Sequence, residues 1–94
     1  MTLDQFKKKL TSATPCVPVM YHRGELASQR RYMPEVHQVA TFCRALHELG
    51  AVDMYQRRDD EGVMCYFVRP YEKWAKGRGQ EDSIMQEAER LVHA

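Results

Sequence analysis

The sequence predicts an α+β fold, on three observations. Between residues 34 and 49 apolar side chains recur at helical spacing, and a glycine, Gly50, follows. From Val52 the period drops to two on both sides of a charged turn. A second helical pattern closes the chain after residue 80. Ninety-four residues hold one domain (1–94), since two cores of half this size would bury too little surface to stand alone.

The elements follow in order. Thr2, Leu3, Asp4 and Gln5 fit a capping box, and Leu3, Phe6 and Leu10 then share a face, predicting a helix over residues 2–12. Lys7, Lys8 and Lys9 lie largely away from that face and read as solvated. Pro15 and Pro18 stop the helix, and Val17, Val19 and Tyr21 alternate, predicting a short edge strand over 17–22. Gly24 breaks the strand, and residues 25–32 form a short second helix. Pro34 suits the first turn of a long helix over 34–49, because its missing amide hydrogen is not needed there. At 100° per residue Val36, Val39, Phe42, Cys43, Leu46 and Leu49 gather on one side, while His37, Thr41, Arg44 and Glu48 line the other. Gly50 is the left-handed stop. Residues 52–57 and 63–68 alternate as strands around a turn at 58–62, giving a hairpin that Pro70 closes. Residues 71–79 read as a linker with one helical turn, and its lone tryptophan, Trp74, reads as a packing anchor. Asp82 or Ser83 caps a last helix whose Ile84, Met85, Ala88, Leu91 and Val92 share a face.

Composition excludes several classes of function. No apolar run approaches a membrane span, and the N-terminal residues lack an apolar signal-peptide core, so a cytoplasmic protein is expected. Cys16, Cys43 and Cys65 are irregularly spaced, which suits reduced thiols. Cys43 and His47 stand four apart and could meet a metal with Cys16, His22 or Cys65. Only one such pair exists, however, and no metal or cofactor is expected. No nucleophile elbow, paired carboxylates or P-loop is present, so the chain reads as a non-enzyme. The net charge is +1, divided unevenly. Residues 1–58 carry nine Lys/Arg against five Asp/Glu, and residues 59–94 carry five against eight. The first part can face an anionic partner.

The order helix, strand, helix, long helix, hairpin, helix resembles the winged helix-turn-helix superfamily. The carriers are residues 39–52, in which Val39, Cys43, Leu46 and Leu49 precede Gly50 and the pair Ala51-Val52. This stretch resembles the recognition helix and its exit in bacterial regulators of the MarR and ArsR type. Glu25-Leu26-Ala27 is similar to the start of the preceding helix there. The resemblance covers about residues 39–68, and the interval between Leu26 and Val39 is longer than usual.

The resemblance implies a three-helix core with a two-stranded wing plus a C-terminal helix, and a function in transcription regulation. His37, Gln38, Thr41 and Arg44 would contact bases of double-stranded DNA in the major groove. Arg30, Arg31, Arg57 and Arg58 would contact phosphates. Ile84, Met85, Ala88, Leu91 and Val92 would form a homodimer contact. The acids Asp59, Asp60 and Glu61 at the wing tip, together with Glu48, oppose close approach to phosphate. They leave open an interaction module that binds a protein partner and never touches DNA.

Overall fold

The computed structural model describes residues 1–14, 16–77 and 82–93. Helix α1 (Leu3–Thr11) begins as its sequence dictates: Thr2 Oγ1 accepts from the Gln5 amide at 3.1 Å, and the Thr2 amide donates to Gln5 Oε1 at 2.8 Å. These bonds satisfy two amides that a helix start otherwise leaves bare. Strand β1 (Val19–Arg23) starts two residues later than expected, with Val17 left exposed. Helix α2 (Leu26–Tyr32) is separated from α3 (Pro34–Glu48) by Met33 alone, and Pro34 occupies the first turn as anticipated.

At the end of α3, Gly50 adopts φ 78° and lets the Ala51 amide reach back to the Leu46 carbonyl at 2.9 Å. The chain then enters β2 (Val52–Arg58) and returns along β3 (Met64–Pro70). The turn between them is organised by one side chain. Asp59 Oδ1 accepts from the amides of Glu61 and Val63, both at 2.9 Å, and Gly62 takes φ 79°. The expected linker holds a short helix, α4 (Glu72–Gly77), with Trp74 buried in the core. Residues 78 and 79 of that linker lie outside the described residues, as do Pro15 and, at the C-terminal end, 80, 81 and 94. Asp82 caps α5 (Ser83–Val92) through bonds to the Ile84 and Met85 amides.

The described residues form a mixed α+β structure of five helices and one antiparallel three-stranded sheet in the order β1-β3-β2. Helix α3 is its centre and packs on α1, α2, α5 and the sheet. Phe6 stands edge-on to both Tyr21 and Phe42, with ring centroids 6.4 and 6.1 Å apart. Phe42, Leu46, Val52 and Val68 close the core around them.

Two expected apolar faces need correcting. Leu49 is 38% exposed, because the chain leaves the helix at that residue on its way to the Gly50 stop. Val36, in the first turn, is only half-buried. Ala40 and Ala45 are buried in their place. They stand about 100° to either side of the stripe's centre, where small side chains let neighbouring helices approach. On α5, Ile84, Met85, Ala88 and Val92 pack against the chain's own core, and Leu91 alone of the five stays exposed, at 38%. The face assigned to a homodimer contact is therefore largely used within one chain. Lys7 joins the same packing, reaching Glu89 on α5 at 2.9 Å, while Lys8 and Lys9 are solvated.

Burial pushes the Cys43 thiol well above its ordinary pKa, and the side chain has no exposed surface. Iodoacetamide at about pH 8 is expected to label exposed Cys16 in the folded protein and to spare Cys43 until denaturant is added. Peptide mass mapping before and after unfolding checks this. No helix among the described residues is long and apolar enough to cross a membrane.

Candidate nucleic-acid interface

With Ala40 and Ala45 buried, α3 keeps a narrow polar stripe: exposed His37, Arg44 and Glu48, with half-buried Thr41 between them. One guanidinium from α2 straddles its first half. Arg30 Nε donates to His37 Nδ1 and a terminal Arg30 nitrogen donates to Thr41 Oγ1, both at 3.3 Å. His37 and Thr41 can share one arginine because residues four apart on a helix stand one above the other. For His37 to accept at Nδ1 its proton must sit on Nε2, which points a donor away from Arg30. Both bonds are long, and both acceptors are neutral. Half-buried Arg30 thus keeps most of its capacity for an anion.

Arg30, Arg31, His37, Tyr66, Leu26 and Ala27 line a groove of about 550 Å³ between α2, α3 and β3. Tyr66 also stands in the wall of a second groove of about 390 Å³, which runs to Arg58 and Gly62 on the hairpin turn and includes Glu25. One surface therefore connects Arg30, Arg31 and His37 to Arg58 through Tyr66. Arg44 lies farther along the stripe, its side chain 75% exposed and 3.2 Å from Glu48. An exposed pair of this kind contributes only about 0.3–0.5 kcal/mol, so Arg44 is readily exchanged to another partner.

Gln38 and Arg57, also assigned from the sequence, lie elsewhere. Gln38 follows His37 and so stands about 100° round the helix, half-buried and off the stripe. Arg57 and Arg58 are split by the strand's alternation. Arg58 shares the sheet face of Val52 and Met54 and donates to the Gly62 carbonyl at 2.8 Å. Arg57 projects from the opposite face, its guanidinium carbon 5.6 Å from the centre of the Phe67 ring. Arg57 is therefore separated from the other phosphate-contact candidates by the thickness of the sheet. Cys43 is buried, and His47 Nδ1 meets the Val52 carbonyl at 3.0 Å. No group of three or more His, Cys, Asp or Glu among the described residues gathers where it could hold a metal.

Two contacts made by β1 were not anticipated. Arg23, the last residue of β1, pairs with Asp59 at 2.8 Å and with Glu61 at 3.3 Å, which neutralises part of the acidic turn. His22 Nε2 lies 2.6 Å from Gln29 Oε1 and ties β1 to α2. Arg23 had no sequence signal, since its pairing depends on where β1 lands against β3. His22, offered by the sequence only as a possible metal ligand, instead meets α2 seven residues on. The Val63 amide, with Arg23 and the Glu61 amide, holds the Asp59 carboxyl below the usual aspartate range. A carboxyl depressed on folding stabilises fully above its unfolded value, and that contribution is lost as pH falls through the folded value. Amide exchange at Glu61 and Val63, corrected for intrinsic rates, is thus expected to be constant above about pH 4 and to accelerate below it. Hydrogen–deuterium exchange across that range checks the turn's dependence on Asp59.

No family model matches this chain, and neither a curated protein nor a solved structure matches it.

Proposed function

We propose that this chain is a small DNA-binding protein of winged helix-turn-helix architecture, acting in the cytoplasm as a transcriptional regulator. In this reading α3 enters the major groove and the 57–62 turn lies against the backbone as a wing. The element order and the antiparallel order β1-β3-β2 support the architecture. The observation that carries the function is the joined surface of Arg30, Arg31, His37 and Arg58, with Arg44 further along the same α3 stripe. Arginines backed by neutral acceptors suit phosphate, which takes paired donors. His37, Thr41 and Arg44 sit where a groove-bound helix presents base-reading side chains. Arg57 drops out of the phosphate set, and Arg23 reduces the repulsion from the wing acids. The reading includes a homodimer, which would present two such helices to paired half-sites.

Fluorescence anisotropy with a labelled duplex across a salt series tests this. Affinity should be micromolar or better at about 50 mM salt and fall steeply towards 200 mM. Arg30→Ala should weaken it for every sequence and lower the salt slope by about 1. Affinity no better than about millimolar at the lowest salt, indifferent to Arg30→Ala, contradicts the proposal.

Glu48 beside Arg44, together with a net charge of only +1, favours a second reading, a module that binds a protein instead of DNA. A stoichiometric partner retained through nuclease treatment and high salt would select it.

A further inference from the structure

The sheet has two edges, and they differ. β1 is irregular: its register with β3 shifts between Met20 and His22, and Lys9 Nζ donates to the Met20 carbonyl at 3.3 Å. A bulge and a lysine are common means of blocking further pairing at an edge. β2, the other edge, runs seven residues in unbroken register with β3 and contains no proline. The bonds at the two ends of this ladder, Tyr71 N–H to the Ala51 carbonyl and Asp59 N–H to the Val63 carbonyl, fix its alternation. Odd-numbered residues bond to β3, so the N–H and C=O of Met54, Gln56 and Arg58 face outward. The Val52 carbonyl follows the same rule and meets His47.

We infer that β2 pairs antiparallel with β2 of a second copy of this chain, about a two-fold axis at Tyr55, to make one continuous sheet. Charge selects that register. With the axis at Tyr55, Met54 of one copy and Gln56 of the other exchange both backbone bonds, and Asp53 stands opposite Arg57 on each side of the axis. An axis at Met54 sets Asp53 against Tyr55, and one at Gln56 sets it against Asp59. An axis at Asp53 or Arg57 puts like charges face to face, which is destabilising.

In the Tyr55 register the two tyrosines occupy the non-hydrogen-bonded position, where strands bring Cα atoms to about 4.5 Å and side chains touch most closely. Each tyrosine already stacks on Phe67, at 5.2 Å and 15° between planes, so the row of rings continues across the axis. Arg69, 3.1 Å from Asp53, extends the ion pair to an Arg–Asp–Arg row. The contact is isologous and closes at two copies. Both sets of helices stay on one side of the joined sheet. The inference does not rest on DNA binding. It supplies the dimer contact that α5, packed on its own core, leaves unfilled.

Sedimentation equilibrium of the full chain tests it, with circular dichroism to show that each variant is folded. The parent should be a reversible dimer with a dissociation constant on the order of micromolar. Gln56→Pro removes only an outward-facing N–H, keeps every bond to β3, and should weaken the dimer at least about tenfold. Asp53→Arg and Arg57→Asp should each weaken it about tenfold, and the double variant should return to within about threefold of the parent. A parent that is monomeric at about 1 mM overturns the inference, as does a dimer indifferent to Gln56→Pro. A dimer that Leu91→Glu abolishes while Gln56→Pro does not would move the interface to α5.

Discussion

Phe42→Ala is expected to be among the most destabilising side-chain truncations in this chain. Phe42 has no exposed surface and stands edge-on to Phe6, 6.1 Å between centroids, where α1 and α3 meet. Truncating a buried phenylalanine costs about 3–5 kcal/mol, because transfer energy is lost and the surrounding side chains only partly refill the space. A domain of this size commonly has about 5–15 kcal/mol in all. Urea unfolding should therefore show the midpoint falling by at least about 1 M, or no cooperative transition at 37 °C. Leu49→Ala is the matched control. The helical pattern treats Leu49 and Phe42 alike, yet Leu49 is 38% exposed, so its loss should cost less than about 1 kcal/mol. Equal costs would mean that α3 is buried along the face its periodicity suggests and not along the one described above.

Arg44→Ala is expected to have the largest effect on binding. The side chain is three-quarters exposed and its partner among the described residues is Glu48, so its removal should leave the unfolding midpoint unchanged within error. A guanidinium that reads guanine contributes about 1–3 kcal/mol of discrimination, so affinity for a preferred duplex should fall about 5- to 150-fold. Glu48→Gln should act in the opposite direction, freeing Arg44 and removing a negative charge from the α3 stripe. A loss of binding without loss of stability separates recognition from folding. Unchanged affinity in both variants would remove Arg44 from the interface.

Much of the fold could be read directly from the residues, for local reasons. The capping box of Thr2 and Gln5, the stop at Gly50 and the Asp59–Gly62 turn are each set within a few residues of chain, and each forms as its chemistry dictates. The polar stripe of α3 was legible for the same reason. The burial of Ala40 and Ala45 was not, because a small side chain carries no hydropathic signal of the helix that will pack on it. Nor was the bridge from Arg30 to His37 and Thr41, which depends on α3 following α2 after Met33 alone. Arg23 reaches Asp59 only because β1 pairs with β3, a contact across 36 residues of chain. The separation of Arg57 from Arg58 was available in principle. Neighbours on a strand face opposite ways, and that alternation outweighs their adjacency in sequence.

The central claim is that one surface, from the α3 stripe through Tyr66 to the hairpin turn, meets duplex DNA. Amide chemical-shift mapping during titration with a short duplex tests this most directly. The account predicts perturbations concentrated at residues 30–31, 37–44 and 58–62, with α1 and the solvent side of α5 silent. Perturbations confined to the α1–α5 side, or none at low salt, would contradict it.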